Sequence, residues 1–195
     1  MEHAHQHQYK HGRGFRYDEV ARRKMQNPEE ILSGVGLREG MTFADIGCND
    51  GFFTIPAAKM VGKNTTVYAV DVDSESIERL QEKARIADLK NIHTLAQEAE
   101  TTIFCKGCVD MIFFGTVMHD FQDSLKVLEH AREMLAPGGK VVNLDWKKIP
   151  TEMGPPLEIR LSEEDATALM ERVGLRVVET KDLSENFYIT IAVLK

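Results

Sequence analysis

Three short segments of this chain carry acidic and glycine residues at spacings that suit a nucleoside-bearing ligand. The first runs Thr42-Phe43-Ala44-Asp45-Ile46-Gly47-Cys48-Asn49-Asp50-Gly51-Phe52-Phe53. It reads as a short buried strand, a tight glycine-bearing turn and the start of a helix. That arrangement is expected to point several backbone N–H groups and a helix N-terminus at one small space. Gly47 and Gly51 let the backbone approach a ligand, and Asn49 between them is a residue type that tolerates φ > 0. Asp45 adds a carboxylate just before the turn. The second segment is Val70-Asp71-Val72-Asp73, where Asp71 closes an apolar run and can accept both hydroxyls of a ribose. The third is Gln97-Glu98-Ala99, an acid and a backbone N–H able to read an adenine edge.

Two other clusters could do different chemistry. Cys105-Lys106-Gly107-Cys108 is a C-x-x-C pair whose lysine favours the thiolate, which suits a soft metal or metalloid. Two thiols fall short of the four ligands of a structural zinc site, so no metal is expected there. His3, His5, His7 and His11 can capture Zn²⁺ or Ni²⁺ loosely, and the simpler reading is a histidine-rich tail. With Cys48 the cysteines number three, too few for a disulfide scaffold, and reduced thiols are the expectation.

The elements that must position the acidic segments are legible from periodicity. Short apolar or β-branched runs predict strands near 42–46, 66–70, 92–95, 109–114 and 140–144. Between them, Ile77, Leu80, Ala84 and Ala87 share one helical face, capped by Asp73 or Ser74. Leu125, Leu128, Ala131 and Leu135 form another stripe, ended by Pro137-Gly138-Gly139. Alternating β and α elements predict a mainly parallel sheet between helices. Ser162-Glu163-Glu164-Asp165 fits a capping box before one more helix. The runs 175–180 and 187–194 then follow too closely for a crossover helix and must pair antiparallel. Residues 1–14 bring little to bury and read as a mobile tail. Two short helices over 15–36 read as a lid, with Tyr17, Arg22 and Arg23 as candidates to cover the site.

Composition bounds the function classes. A chain of 195 residues with 43% hydrophobic and 28% charged residues suits one soluble globular core. No apolar run reaches the roughly 18 residues of a membrane span, and the N-terminus carries no apolar signal segment, so a cytoplasmic location is expected. The net charge of −7 is uneven: residues 1–27 hold six Lys/Arg against three acids, and the remainder hold eighteen against twenty-eight. An acidic body excludes a broad nucleic-acid surface.

Ligands of open α/β sheets lie at the carboxyl ends of the strands where strand order reverses, which is where the three acidic segments fall. A dinucleotide-binding domain is the main alternative. Its G-x-G-x-x-G fingerprint lacks the third glycine here, and Asp50 would set a negative charge where a phosphate must sit. S-adenosylmethionine carries a sulfonium and no phosphate, so acids at Asp45 and Asp50 are tolerable or helpful.

Residues 37–195 resemble the class I S-adenosylmethionine-dependent methyltransferases, in the style of the ubiquinone/menaquinone-biosynthesis methylases. The resemblance rests on five blocks in order: Phe43 to Gly51, Val67 to Asp71, Gln97 to Ala99, Val109 to Phe114 and Leu135 to Val142, with the terminal hairpin as a sixth feature. It implies a three-layer Rossmann-like sheet of seven strands, the last antiparallel, and S-adenosylhomocysteine as product. It further implies that Asp45 and the Gly47, Cys48, Asn49, Asp50 and Gly51 backbone hold the methionine and ribose parts. Asp71 with Val72 would hold the ribose, Glu98 with Ala99 the adenine, and Gly115 and Thr116 would border the methionine end. The family's usual middle glycine is Asn49 here.

Methyl transfer needs a nucleophile held in line with the methyl carbon, and a base only if that nucleophile arrives protonated. The loop Gly115 to Phe121 contains His119, a candidate base, with Asp120 or Asp145 to orient it. The same side chains could instead shape the loop. Trp146 and Arg160, in the segment after the fifth strand, are candidates to face the acceptor together with Tyr17, although Trp146 can equally pack that loop on the core. The expected acceptor is a small molecule: a thiol, a metalloid or a quinone-like ring. A monomer or a homodimer is expected. A non-catalytic S-adenosylmethionine-binding module, a nicotinamide oxidoreductase and a metal-handling protein remain as alternatives.

Overall fold

A computed structural model describes residues 19–195; the expected tail, the first part of the lid and Tyr17 lie outside the described residues. Seven strands form one sheet: β1 (Phe43–Ile46), β2 (Val67–Asp71), β3 (Ile92–Ala96), β4 (Val109–Gly115), β5 (Leu135–Trp146), β6 (Leu175–Asp182) and β7 (Phe187–Leu194). Their order is β3-β2-β1-β4-β5-β7-β6. The first five are parallel, and β7 runs antiparallel between β5 and β6. Strand order therefore reverses between β1 and β4, as the sequence pattern requires of a nucleoside site.

The helices are α1 (Glu19–Met25), α2 (Pro28–Gly34), α3 (Thr54–Val61), α4 (Ser74–Ile86), α5 (Ser124–Met134) and α6 (Glu163–Arg172). Their starts follow from short polar side chains that satisfy orphan N–H groups. Asn27 Oδ1 accepts from the Glu30 N–H, with Pro28 at the first helical position. Asp73 accepts from the Glu75 N–H, and Ser162 with Asp165 forms the expected capping box.

Strand alternation sorts the core onto two faces. Phe43, Phe113, Trp146 and Phe187 pack with α2 and α3 on one face. Ile46, Ile112, Phe114 and Tyr188 pack with α5 and α6 on the other. The Phe43 and Phe53 rings both pack tilted against Phe113, at centroid distances of 6.0 and 4.8 Å. Full burial of one such ring stabilises the fold by roughly 1.5–3 kcal/mol.

One expectation needs correction. The stripe around Leu128 ends at Met134, not at Pro137, because Leu135 already pairs with Val109 in β5. A register shift between Val109 and Met111 then absorbs the Pro-Gly-Gly turn, and Gly139 sits where a Cβ would lie 2.8 Å from the Val109 carbonyl oxygen. The Cys105 and Cys108 side chains lie together, their Cα atoms 6.1 Å apart, a separation that a disulfide can span. Cys48 stands apart from them and is buried. Among the described residues no cluster of His, Cys, Asp or Glu could hold a metal ion.

Candidate active site

The turn after β1 folds as a closed knot of internal hydrogen bonds. Gly47 and Cys48 both donate their N–H groups to the Val70 carbonyl, at 2.8 and 3.0 Å, and Gly51 donates to the Cys48 carbonyl. The Asn49 N–H donates to Asp71 Oδ2 at 2.7 Å, and the Asp50 N–H to Asn49 Oδ1 at 2.8 Å. Every N–H from Gly47 to Gly51 thus has a partner within the protein. Between Gly47 and Gly51 the turn has no N–H left over, because Val70, Asp71 and the turn's own oxygens take those donors. What the turn offers a ligand is negative charge and acceptor oxygens.

The turn needs left-handed backbone at Gly47 (φ 77°), Asn49 (φ 47°) and Gly51 (φ 89°). Asn49 fills the place where the resemblance implied glycine, and its amide oxygen repays the strain by holding the next N–H. Gly47 and Gly51 are also fixed by space, since a Cβ would lie 2.4 Å from Val117 Cγ2 and from Leu80 Cδ1 respectively.

Asp71 ties three loops together. Its carboxylate accepts from Asn49 and Asp73, and its carbonyl accepts from Gln97 at the end of β3. A carboxylate has about four acceptor positions, so two remain for hydroxyl donors. Burial raises its pKa, against the lowering effect of the Asp73 and Asn49 N–H groups. Val72 beside it leaves an apolar side chain 51% exposed, which is unusual next to an acid and suits a planar ring. Glu98 is exposed at the cap of the 3₁₀ turn Ala99–Thr101. Glu100 in that turn accepts from the Gln122 and Asp123 N–H groups, joining the third loop to the start of α5.

Asp45 is wholly buried and accepts from Thr54 Oγ1 at 2.6 Å. Burial pushes its carboxyl up to about 7, with the Thr54 hydroxyl and the Arg22 charge pulling the other way. Burial and the neighbouring acids also raise the Cys48 thiol well above its ordinary value, which makes it inert. Asp50 turns outward to Lys83 Nζ at 3.0 Å. Its charge is therefore largely compensated, and the expected repulsion of a phosphate does not rest on Asp50. Neither Thr54 nor Lys83 was evident in the sequence. Thr54 stands nine positions after Asp45 in a polar-poor helix start, and Lys83 is one of several lysines on a surface helix, with nothing local to mark it.

On the β4 side, Thr116 has φ 60° and Gly115 leaves no room for a Cβ beside Phe53. His119 follows on a 3₁₀ turn with its side chain only 4% exposed. Its Nδ1 lies 2.7 Å from Asp145 Oδ1 at the end of β5, and Asp120 is 3.7 Å from Nε2. Asp145, not the half-exposed Asp120, is thus the orienting partner. Burial alone would lower the His119 pKa; the Asp145 charge and hydrogen bond, with Asp120, reverse that and raise it. Asp145 Oδ1 also accepts the Trp146 N–H, while Oδ2 is buried without a partner.

Arg160, expected to face an acceptor, points inward. It is 3% exposed and donates to the carbonyls of Lys147, Ile149, Met153 and Pro155 and to Thr151 Oγ1. Trp146 is likewise 3% exposed, between Phe187 and the Arg160 guanidinium, so the packing alternative describes it. Together they hold the 147–155 loop over the end of β5. One side of that loop faces Met25 of α1 and Asn186 across a cleft of about 590 Å³. Tyr17 lies outside the described residues.

The acidic, donor-poor turn fits S-adenosylmethionine, whose sulfonium and ammonium are cations, and fits a pyrophosphate badly. The Asp71 acceptor positions and the exposed Val72 suit its ribose and adenine.

Comparison with known proteins agrees. The methyltransferase-domain family matches residues 37–186. A crystal structure of an S-adenosylmethionine-dependent methyltransferase from Aquifex aeolicus superposes with a TM-score of 0.81 at 31% identity, covering 91% of this chain and 98% of that one. A demethylmenaquinone methyltransferase from a Geobacillus species is 26% identical over 133 residues, 68% of this chain and 56% of that protein. One from Staphylococcus aureus is 28% identical over 117 residues, 60% of this chain and 48% of that protein. The chain spans about half the length of these curated relatives. The matched motifs, the strand order and the donor-poor acidic turn make this chain a member of the class I S-adenosylmethionine-dependent methyltransferase family.

Proposed function

We propose that this chain transfers a methyl group from S-adenosylmethionine to a small-molecule acceptor bound in the cleft between Met25 and the 147–155 loop. The observation that carries this reading is the turn after β1, where all N–H groups are internally satisfied and acids dominate. When bound, the cofactor supplies an electrophilic methyl carbon on a sulfonium. Asp45 and the 47–51 turn hold its methionine and ribose side, and Asp71 accepts from the ribose hydroxyls. Val72, Glu98 and Ala99 take the adenine, and Gly115 and Thr116 border the methionine end.

The cleft volume is that of a small-molecule site, and Met25, Pro150 and Met153 give it apolar walls. Those walls, with the names of the curated relatives, favour a quinone-like ring over a thiol or a metalloid. Such a ring reacts best once its hydroxyl has lost a proton. His119 Nε2 accepts that proton, while Asp145 holds Nδ1 and stabilises the cation that forms.

The test supplies methyl-labelled cofactor with a panel of hydroquinones, thiols and arsenite. Label on a hydroquinone supports the reading, and label on the thiol or arsenite redirects it to that acceptor. Tight S-adenosylhomocysteine binding with no label passed to the panel or to a cell extract identifies a non-catalytic binder. Because the His119 pKa is raised, the acid limb of the pH–rate profile should lie above the ordinary histidine value of about 6.5. His119→Gln should flatten that limb and lower kcat by about 10²–10⁴. An unchanged limb removes His119 from the chemistry.

A further inference from the structure

Three buried polar atoms beneath His119 have no hydrogen-bond partner in the protein: Asn143 Oδ1, Asp145 Oδ2 and Thr190 Oγ1. All three residues are 0% exposed. Asn143 and Asp145 alternate along β5 with Val142, Leu144 and Trp146, which belong to the α2 and α3 face, so both point to the α5 and α6 face. In β7, Thr190 alternates with Ile189 and Ile191 in the same way. Thr190 stands directly opposite Asn143, and Tyr188 directly opposite Asp145. Opposite residues on one face have Cβ atoms about 4.5–5.5 Å apart, and a diagonal pair such as Asp145 and Thr190 is about 7–8 Å apart. The rest of that core face, Ile112, Phe114, Ala166 and Met170 among it, is apolar.

The donors and acceptors in this cluster do not balance. Asp145 Oδ1 already serves His119 Nδ1 and the Trp146 N–H, which leaves Oδ2 as a bare acceptor. The Tyr188 hydroxyl gives its one proton to the Leu161 or Ser162 carbonyl, at 3.3 and 3.5 Å, so it accepts from Asn143 Nδ2 at 3.5 Å. That fixes the amide and leaves Asn143 Oδ1 as a second bare acceptor. The Thr190 hydroxyl brings one proton for two acceptors and reaches neither. Buried polar groups in native folds are nearly always paired, through ordered water where the protein supplies no partner. One water molecule closes the account: it donates to Asp145 Oδ2 and Asn143 Oδ1 and accepts from Thr190 Oγ1.

We propose that one internal water molecule, held by Asn143 and Thr190, is the second partner of Asp145, and that these two side chains are therefore positioning residues for His119. The water fixes the plane of the carboxylate that sets the direction of the imidazole. Its proton on Oδ2 also draws negative charge away from Oδ1 and so tempers the hold of Asp145 on an imidazolium. The charged groups around His119 are Asp145 and Asp120, which favour the imidazolium, and Arg160, which opposes it. Tyr188 is the titratable group across from Asp145; burial, that carboxylate, and Glu163 and Asp165 of α6 all push its phenol up, so it stays neutral. The consequence for methyl transfer rests on His119 being the base proposed above, since an imidazole held too tightly as a cation accepts no proton near neutral pH.

The test has two arms. A crystal structure of the wild type should show a water oxygen within about 3.2 Å of Asp145 Oδ2, Asn143 Oδ1 and Thr190 Oγ1. The second arm titrates the His119 ring by NMR in the wild type, Thr190→Val and Thr190→Ser. Valine removes the hydroxyl that anchors the water, so His119 should titrate about 0.5 pH higher or more, while serine should stay within about 0.2 pH of the wild type. The acid limb of the pH–rate profile should move with the ring. A crystal structure in which Thr190 bonds Asn143 or Asp145 directly, with no water among them, overturns the proposal, and so does a His119 titration that valine leaves unchanged. The crystal arm needs no variant, so it decides the water even where the valine protein fails to fold. A pH–rate limb that does not follow the His119 titration removes His119 from the chemistry and leaves the water in place, which is a separate outcome.

Discussion

Asp45→Asn should make the ligand-free protein more stable at pH 8, although it alters the centre of the site. The carboxyl is wholly buried, and its pKa rises from 3.8 to about 7 mainly through burial. A group whose pKa is raised on folding adds stability below its unfolded value and loses it as pH climbs to the folded one. Asp45 thus costs nothing near pH 3 and progressively more between pH 4 and 7. A shift of about three units corresponds to about 4 kcal/mol once the group is ionised in both states. Asparagine keeps the acceptor for Thr54 Oγ1 and carries no charge to desolvate. Urea unfolding at pH 8 should show the variant more stable by about 2–4 kcal/mol, and the gap should close by about pH 4. The variant should also bind S-adenosylmethionine more weakly at pH 8, because the sulfonium and ammonium lose an anion. A variant less stable than wild type at pH 8 refutes the reasoning, since it would mean that the ionised carboxylate is well solvated or well paired.

Asp71→Asn preserves shape yet turns one acceptor into a donor facing the Asn49 or Asp73 N–H; S-adenosylhomocysteine affinity should fall by at least about 1 kcal/mol by calorimetry, and an unchanged Kd shows Asp71 to be misassigned. Asn49→Val places a β-branched residue at φ 47° and removes the acceptor for the Asp50 N–H, so it should cost about 1–3 kcal/mol of stability in urea, while Asn49→Gly stays within about 1 kcal/mol of wild type. Arg160→Met removes the shared donor to five acceptors of the 147–155 loop, and limited proteolysis should cut that loop faster while the far-ultraviolet spectrum stays unchanged; equal protection would show that Trp146 packing alone holds the loop.

Much of the fold is local in origin, and so was legible. Alternating apolar runs mark the strands, capping residues mark the helix starts, and the short link before β7 forces the antiparallel hairpin. The end of α5 was misread because Leu135 continues the helical stripe, and only its pairing with Val109 pulls it into β5. The site divides the same way. Asp71, Glu98 and the glycine turn could be placed at one end of the sheet because strand ends position them whatever the rest of the chain does. Arg160 and Trp146 are correctly placed in sequence after β5, but their direction depends on what fills the space beneath the loop.

The sequence by itself determined that a glycine-bearing acidic turn, Asp71 and Glu98 would stand at the carboxyl ends of three neighbouring parallel strands, since alternating β and α segments leave one geometry for those loops. Tertiary structure alone decided how that turn spends its hydrogen bonds. Val70 and Asp71 claim the N–H groups, Lys83 answers Asp50 across 33 residues of chain, Asp145 rather than Asp120 holds His119, and α1 brings Arg22 to Thr116. Those partners are distant in sequence, and a donor's partner depends on which acceptor the packed chain brings within about 3 Å, which no local pattern encodes.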